Sequence, residues 1–121
     1  MAEEKFSITN KTRSTERQNW RSVPFAEIKN KVLGKDYSLS LVFIDEEKSR
    51  RLNFAYRGKN KSANILSFPL DKKTGEIFIC PAIAKKEASS LFIHGLLHLK
   101  GMYHGSRMER AEEVVRRKFS I

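Results

Sequence analysis

From Leu91 to Leu99 the chain reads Leu-Phe-Ile-His-Gly-Leu-Leu-His-Leu, which is apolar on nearly every face of a helix. Such a helix cannot lie on a surface. It has to be central, with other elements packed around it. The spacing predicts a long helical stretch opened by Pro81 and closed at Lys100, with Gly101 as its stop. Upstream, Tyr37 to Ile44 alternates Tyr37, Leu39, Leu41 and Phe43 with Ser38 and Ser40, the period of a strand. Asn64 to Pro69 and Glu76 to Cys80 read as the two arms of a hairpin around a turn from Asp71 to Gly75. Residues 5–9 suit a further strand. Helices are expected after Pro24 (Phe25, Ile28 and Val32, stopped by Gly34) and from an Asp45 cap to about Tyr56, ended by Gly58. Ser106 and Glu109 have capping-box spacing, and Met108, Ala111, Val115 and Phe119 follow on one face of a last helix. The expected fold is α+β in one domain over 1–121: a roughly four-stranded sheet, packed helices and a central buried helix that carries the site.

All three histidines of the chain lie within eleven residues, at positions 94, 98 and 104. His94 and His98 are four apart, so on a helix both project from one face and can reach a single ion at about 2 Å. His104 cannot be reached along the same helix. Gly101 permits a positive φ there, so the chain can turn back and let His104 close the coordination sphere. Three nitrogen ligands leave a fourth position open, as catalytic sites do. The spacing is that of the metzincin proteases, but their glutamate base is replaced by Gly95. The metal template is kept and the peptidase base is absent. Zn2+, one ion per chain, is the expected cofactor, and imidazole ligands also suit other divalent transition metals.

The 24 Lys and Arg outnumber the 14 Asp and Glu, for a formal net charge of +10. A chain this basic attracts polyanions, and nucleic acid is the favoured partner. Cys80 is the sole cysteine, so no intramolecular disulfide can form and a reducing cytoplasm is the expected location. The N-terminal residues do not read as a signal peptide, and no apolar run is long enough to span a membrane. Neither a membrane nor a small-molecule cofactor is expected as a partner.

Three blocks in order resemble the YbeY family of bacterial endoribonucleases and rRNA maturation factors. The family signature H-G-x-L-H-L-x-G-Y-D-H appears as residues 94–104, and Y-R-G-K-D-x-x-T-N-V-L-S-F-P appears as residues 56–69. G-D-I-x-I-C appears as residues 75–80, followed by Glu87-Ala88. The resemblance implies a metal-dependent ribonuclease that favours single strands, acts in 16S rRNA maturation and ribosome quality control, and holds zinc through His94, His98 and His104. It places Arg57 near the metal, and it implies the ribosome or small-subunit assembly factors as partners. Two departures from the pattern matter. Tyr103 replaces the aspartate usual before the last histidine. The segment before His94 is short, which places Glu87 either on the ligand face or at a solvated helix end.

For hydrolysis of RNA, Arg57 is the expected catalytic residue, because a guanidinium grips two phosphate oxygens. Lys59, Lys61, Ser62 and Asn64 are candidates for holding RNA and its phosphates. Tyr37, Tyr56 and Phe68 are candidates for base stacking, with Tyr37 and Phe68 also suited to the core. Trp20 lies among basic residues and suits RNA contact or packing. Two other functions fit the same residues: a non-catalytic rRNA-binding assembly factor with a structural metal, and a metallohydrolase for small molecules or peptides.

Overall fold

The computed structural model describes residues 5–13, 22–84 and 88–121. The elements run β1 (Phe6–Asn10), α1 (Phe25–Leu33), β2 (Ser38–Phe43), α2 (Glu46–Arg57), β3 (Ile65–Asp71), β4 (Thr74–Ile79), α3 (Ala88–Leu99) and α4 (Ser106–Phe119). The four strands form one sheet in the order β1-β2-β4-β3. β1 and β4 both lie parallel to β2, and β3 closes the sheet antiparallel to β4. The α+β architecture is the one expected. Trp20 and Glu87 fall outside the described residues.

Alternation along the strands divides the sheet into two faces. Leu39, Leu41, Phe43, Ile77 and Ile79 are buried on one face, beneath α1, α3 and α4. α3 is the centre of this layer. Leu91, Phe92, Ile93, Leu96 and Leu97 are all buried, as a helix apolar all round requires. Phe25 and Phe92 meet edge-to-face at 5.0 Å and join α1 to α3. The other face carries Val42, Phe78 and Cys80, covered by Leu52 of α2.

α2 is short of apolar residues, and its buried positions are Ser49 and Asn53. They clamp the loop that follows. Ser49 Oγ donates to the Ala63 carbonyl at 2.7 Å and accepts from the Ala63 N–H at 2.8 Å. Asn53 Nδ2 donates to the Lys61 carbonyl at 2.9 Å. The loop from Gly58 to Asn64 is thereby tied to the helix before it.

Four local expectations need correction. Residues 81–83 form a turn, and the helix begins at Ala88. Pro81 there serves as a turn residue, its carbonyl accepting from the Ala84 N–H at 3.3 Å. Asp45 precedes α2 without capping it: its carboxylate accepts the Arg13 N–H at 3.1 and 3.3 Å. Ser106 is the first residue of α4, not its cap, and Gly105 takes the cap position. The hairpin is tighter than expected, with Lys72 and Lys73 as its turn and Asp71 Oδ1 accepting from the Lys73 N–H at 2.8 Å. Pro69 is tolerated because β3 is an edge strand.

Helix and sheet approach each other closely at Gly95. A Cβ there would lie 2.8 Å from both Ile65 Cδ1 and Ser67 Oγ, and 3.1 Å from Ile77 Cδ1. Gly95→Ala is therefore expected to push α3 off the sheet and cost about 1–3 kcal/mol. Denaturant unfolding checks this, and a stability equal to the parent's would contradict the packing described.

Candidate metal centre

The site is built where α3 ends. His94 and His98 stand one turn apart on α3, with ring centroids 4.5 Å apart. Gly101 then takes φ +98°, a conformation open to glycine and strained for other residues. The Gly101 N–H bonds the His98 carbonyl at 2.9 Å, and the Met102 N–H reaches back to the Leu97 carbonyl at 3.0 Å. This turn returns the chain and brings the His104 ring to 4.9 Å from each of the other two. One ligand atom from each of the three histidines lies within 4.8 Å of the others, so the group could hold one metal ion.

The neighbours fix the tautomers of two of the rings. A carbonyl oxygen only accepts, so His98 Nδ1–H donates to the Met102 carbonyl at 3.0 Å. His94 Nδ1–H donates to the Glu112 carboxylate at 2.6 Å. Each ring then presents Nε2 as a bare lone pair, and the two Nε2 atoms stand 2.9 Å apart. Lone pairs at that separation repel unless a cation lies against both. The donor set thus fits a divalent ion that favours imidazole. Burial, and next the charge of His94, hold the His98 pKa below its usual value, so the neutral form that ligates is favoured.

Position 95 faces the sheet and not the ligands, since a side chain there would run into Ile65, Ser67 and Ile77. A metzincin-type glutamate has no room in this fold. Tyr103 is 85% exposed, so it does not stand in for a carboxylate beside a histidine.

A cleft of about 670 Å³ opens beside the histidines. His94, His104, Asn64, Glu109, Glu112 and Arg116 contribute to its walls. Among the sequence candidates, Asn64 shares this cleft. Arg57 ends α2, and its positive charge acts on His98 and helps to lower that pKa. Lys59 and Lys61 are exposed on the clamped loop and do not line the cleft. Ser62 is on the same loop, where its Oγ donates to Glu46 Oε1 at 3.3 Å. Tyr37 is buried, so it has no free face for a base. Phe68 is half-buried on the opposite sheet face and lies outside the main core. Cys80 is buried, and its thiol pKa is pushed up, chiefly by burial.

Glu112 and Arg116 were not anticipated from the sequence. The available signal was a glutamate beside the Met108–Val115 stripe on the helix that directly follows the third histidine. Replacing Glu112 by Ala frees the His94 ring to turn, and zinc affinity is expected to fall about 10- to 100-fold. Competition with a chelator measures it, and an unchanged affinity would show that the carboxylate does not orient the ring. Protons compete with the metal for Nε2, and the lowered His98 pKa shifts that competition toward acid. At fixed zinc, loading is expected to persist below pH 6.5, the ordinary histidine value, and to fall as acidification protonates His98. Loss of the metal already complete at pH 7 would contradict this.

Comparison with known proteins gives the family. The family model described as Endoribonuclease YbeY matches residues 3–120. The Endoribonuclease YbeY of Rubrobacter xylanophilus is 38% identical over 78 residues, covering 61% of this chain and 58% of that protein. That of Acinetobacter baylyi is 35% identical over 101 residues, covering 65% and 64%. The match to these two relatives thus spans less than two thirds of their length. The solution structure of TM1509 from Thermotoga maritima superposes with a TM-score of 0.61 at 20% identity, covering 95% of this chain and 91% of that one, and so shares the fold. With the family model matched over nearly all of its length, the chain belongs to the YbeY family.

Proposed function

We propose that this chain is a zinc-dependent endoribonuclease that favours single strands and acts in 16S rRNA maturation and ribosome quality control. The observation that carries the reading is the three-histidine cluster, open on one side to a cleft that Asn64 and Arg116 help to line, with the Arg57 charge bearing on it. The names of the relatives support RNA as the substrate. A net charge of +10 supports a polyanionic one. A divalent ion held by the histidines supplies Lewis acidity, lowering the pKa of a water and drawing charge from a phosphate oxygen.

The chain's own residues do the rest. Glu112 and the Met102 carbonyl hold the imidazoles with Nε2 turned to the ion. Arg57 neutralises phosphate charge by pairing with two of its oxygens. Arg116 offers a second guanidinium on the cleft wall. Asn64 adds neutral hydrogen bonds from the cleft, and Ser62 from the loop beside it. Lys59 and Lys61 track the backbone outside the cleft as point charges. The ribosome or a small-subunit assembly factor is the partner, and the cytoplasm the place of action. Among the described residues no helix is long and apolar enough to cross a membrane.

Exposure of Tyr103 favours a second reading, a non-catalytic rRNA-binding assembly factor with a structural metal, because no carboxylate stands beside His104 from that position. Arg57→Ala separates the two. Cleavage of a labelled single-stranded rRNA fragment is expected to fall at least about 100-fold, the scale of a lost transition-state contact, while RNA affinity falls far less. Equal losses in both, or a zinc-loaded parent that leaves RNA intact, would favour the assembly factor.

A further inference from the structure

On the sheet face opposite the metal centre, three aromatic rings form a ladder. Phe78 of β4 meets Phe68 of β3 at 5.8 Å, edge-on. Phe68 meets Tyr56 of α2 at 5.1 Å, tilted by 49°. Burial falls along the ladder. Phe78 packs against the small core under α2, Phe68 is half-buried, and Tyr56 is 70% exposed. The outermost ring is thus held in place from behind and leaves its other side to solvent.

The setting is cationic. Tyr56 is followed directly by Arg57, and the loop after it runs to Asn64 on the wall of the histidine cleft. Lys59 and Lys61 come next, on the loop fixed by Ser49 and Asn53. Lys72 and Lys73 are exposed at the hairpin turn where β3 ends. Glu76, in register with Phe68, is an acidic neighbour on this face.

We propose that Tyr56, backed by Phe68 and Phe78, is a stacking platform for one unpaired base of the RNA strand, set next to the scissile phosphate. The proposal rests on the RNA reading above. A flat ring flanked by cations matches a nucleotide, with a π-face for the base and positive charge for its phosphate. Leu70 is exposed two residues along β3 from Phe68, but the chain after Tyr56 supplies an arginine and two lysines, which favour a nucleotide over an apolar protein surface. A base on Tyr56 places its own phosphate at Arg57 and the strand over the β3 edge toward the histidines. A base held in a duplex cannot present its face to the ring, so the platform itself selects single strands.

The test uses the zinc-loaded full chain and short single-stranded RNAs carrying 2-aminopurine at successive positions. At one position next to the cut, stacking is expected to quench the fluorescence. Tyr56→Ala abolishes that quenching and weakens binding about 5- to 100-fold. Tyr56→Trp retains both. An abasic nucleotide at that position weakens binding equally, with no further loss in Tyr56→Ala. Phe54→Ser, at another exposed aromatic of α2 with no ring contact among the described residues, leaves both unchanged. Quenching that survives Tyr56→Ala, or equal effects of Phe54→Ser, overturns the platform. So does unchanged RNA affinity in Tyr56→Ala, which would assign the ring to a protein contact. If RNA binds with Tyr56-dependent quenching but is not cut, the platform stands and the nuclease reading falls. If RNA is cut equally by parent and Tyr56→Ala without quenching, the reverse holds.

Discussion

The distance between α3 and the sheet governs everything else in this molecule. α3 carries two of the three histidines, and it lies on the strands with no side chain between them at Gly95. Ser67 Oγ donates to the Gly95 carbonyl at 3.3 Å and ties helix to edge strand at the same point. A helix held this closely has a fixed rotation, and the rotation decides where His94 and His98 point. The buried Leu96 and Leu97 next to it make any other rotation costly, since it would expose them.

From that fixed helix the site is assembled by short-range geometry. The turn at Gly101 does two things at once: it returns the chain to bring His104 in, and it turns the Met102 carbonyl toward His98. α4, which begins just past His104, crosses back over α3 and sets Glu112 against His94. Ligands and their orienting groups thus come from one continuous segment, from His94 to Glu112. Asn64 joins the cleft from elsewhere, at the end of the loop after α2 that is locked by Ser49 and Asn53.

Much of this was legible in the sequence because it depends on local pattern. A nine-residue apolar run can be read as a buried helix, and two histidines four apart on it can be read as one face. A glycine three residues further on can be read as the return. The unread parts depend on residues far apart in the chain. Asp45 looks like a cap, but the Arg13 N–H competes for its carboxylate from 32 residues away. Glu112 meets His94 across 18 residues. Phe68 alternates as a strand residue should, but alternation does not tell how completely its face is covered. That depends on α2, whose polar composition leaves the ladder of Tyr56 and Phe68 partly open. Pro81 shows the limit of local rules, since proline suits a helix start and a turn equally well.

The most direct test of the account is the ligand set of the bound ion. Metal-free chain would be titrated with Zn2+, and the zinc environment read by X-ray absorption. The account predicts one ion per chain, with three imidazole nitrogens at about 2.0–2.1 Å, one oxygen and no sulfur. Fewer than three imidazoles, a sulfur shell from Cys80, or no saturable binding would contradict it.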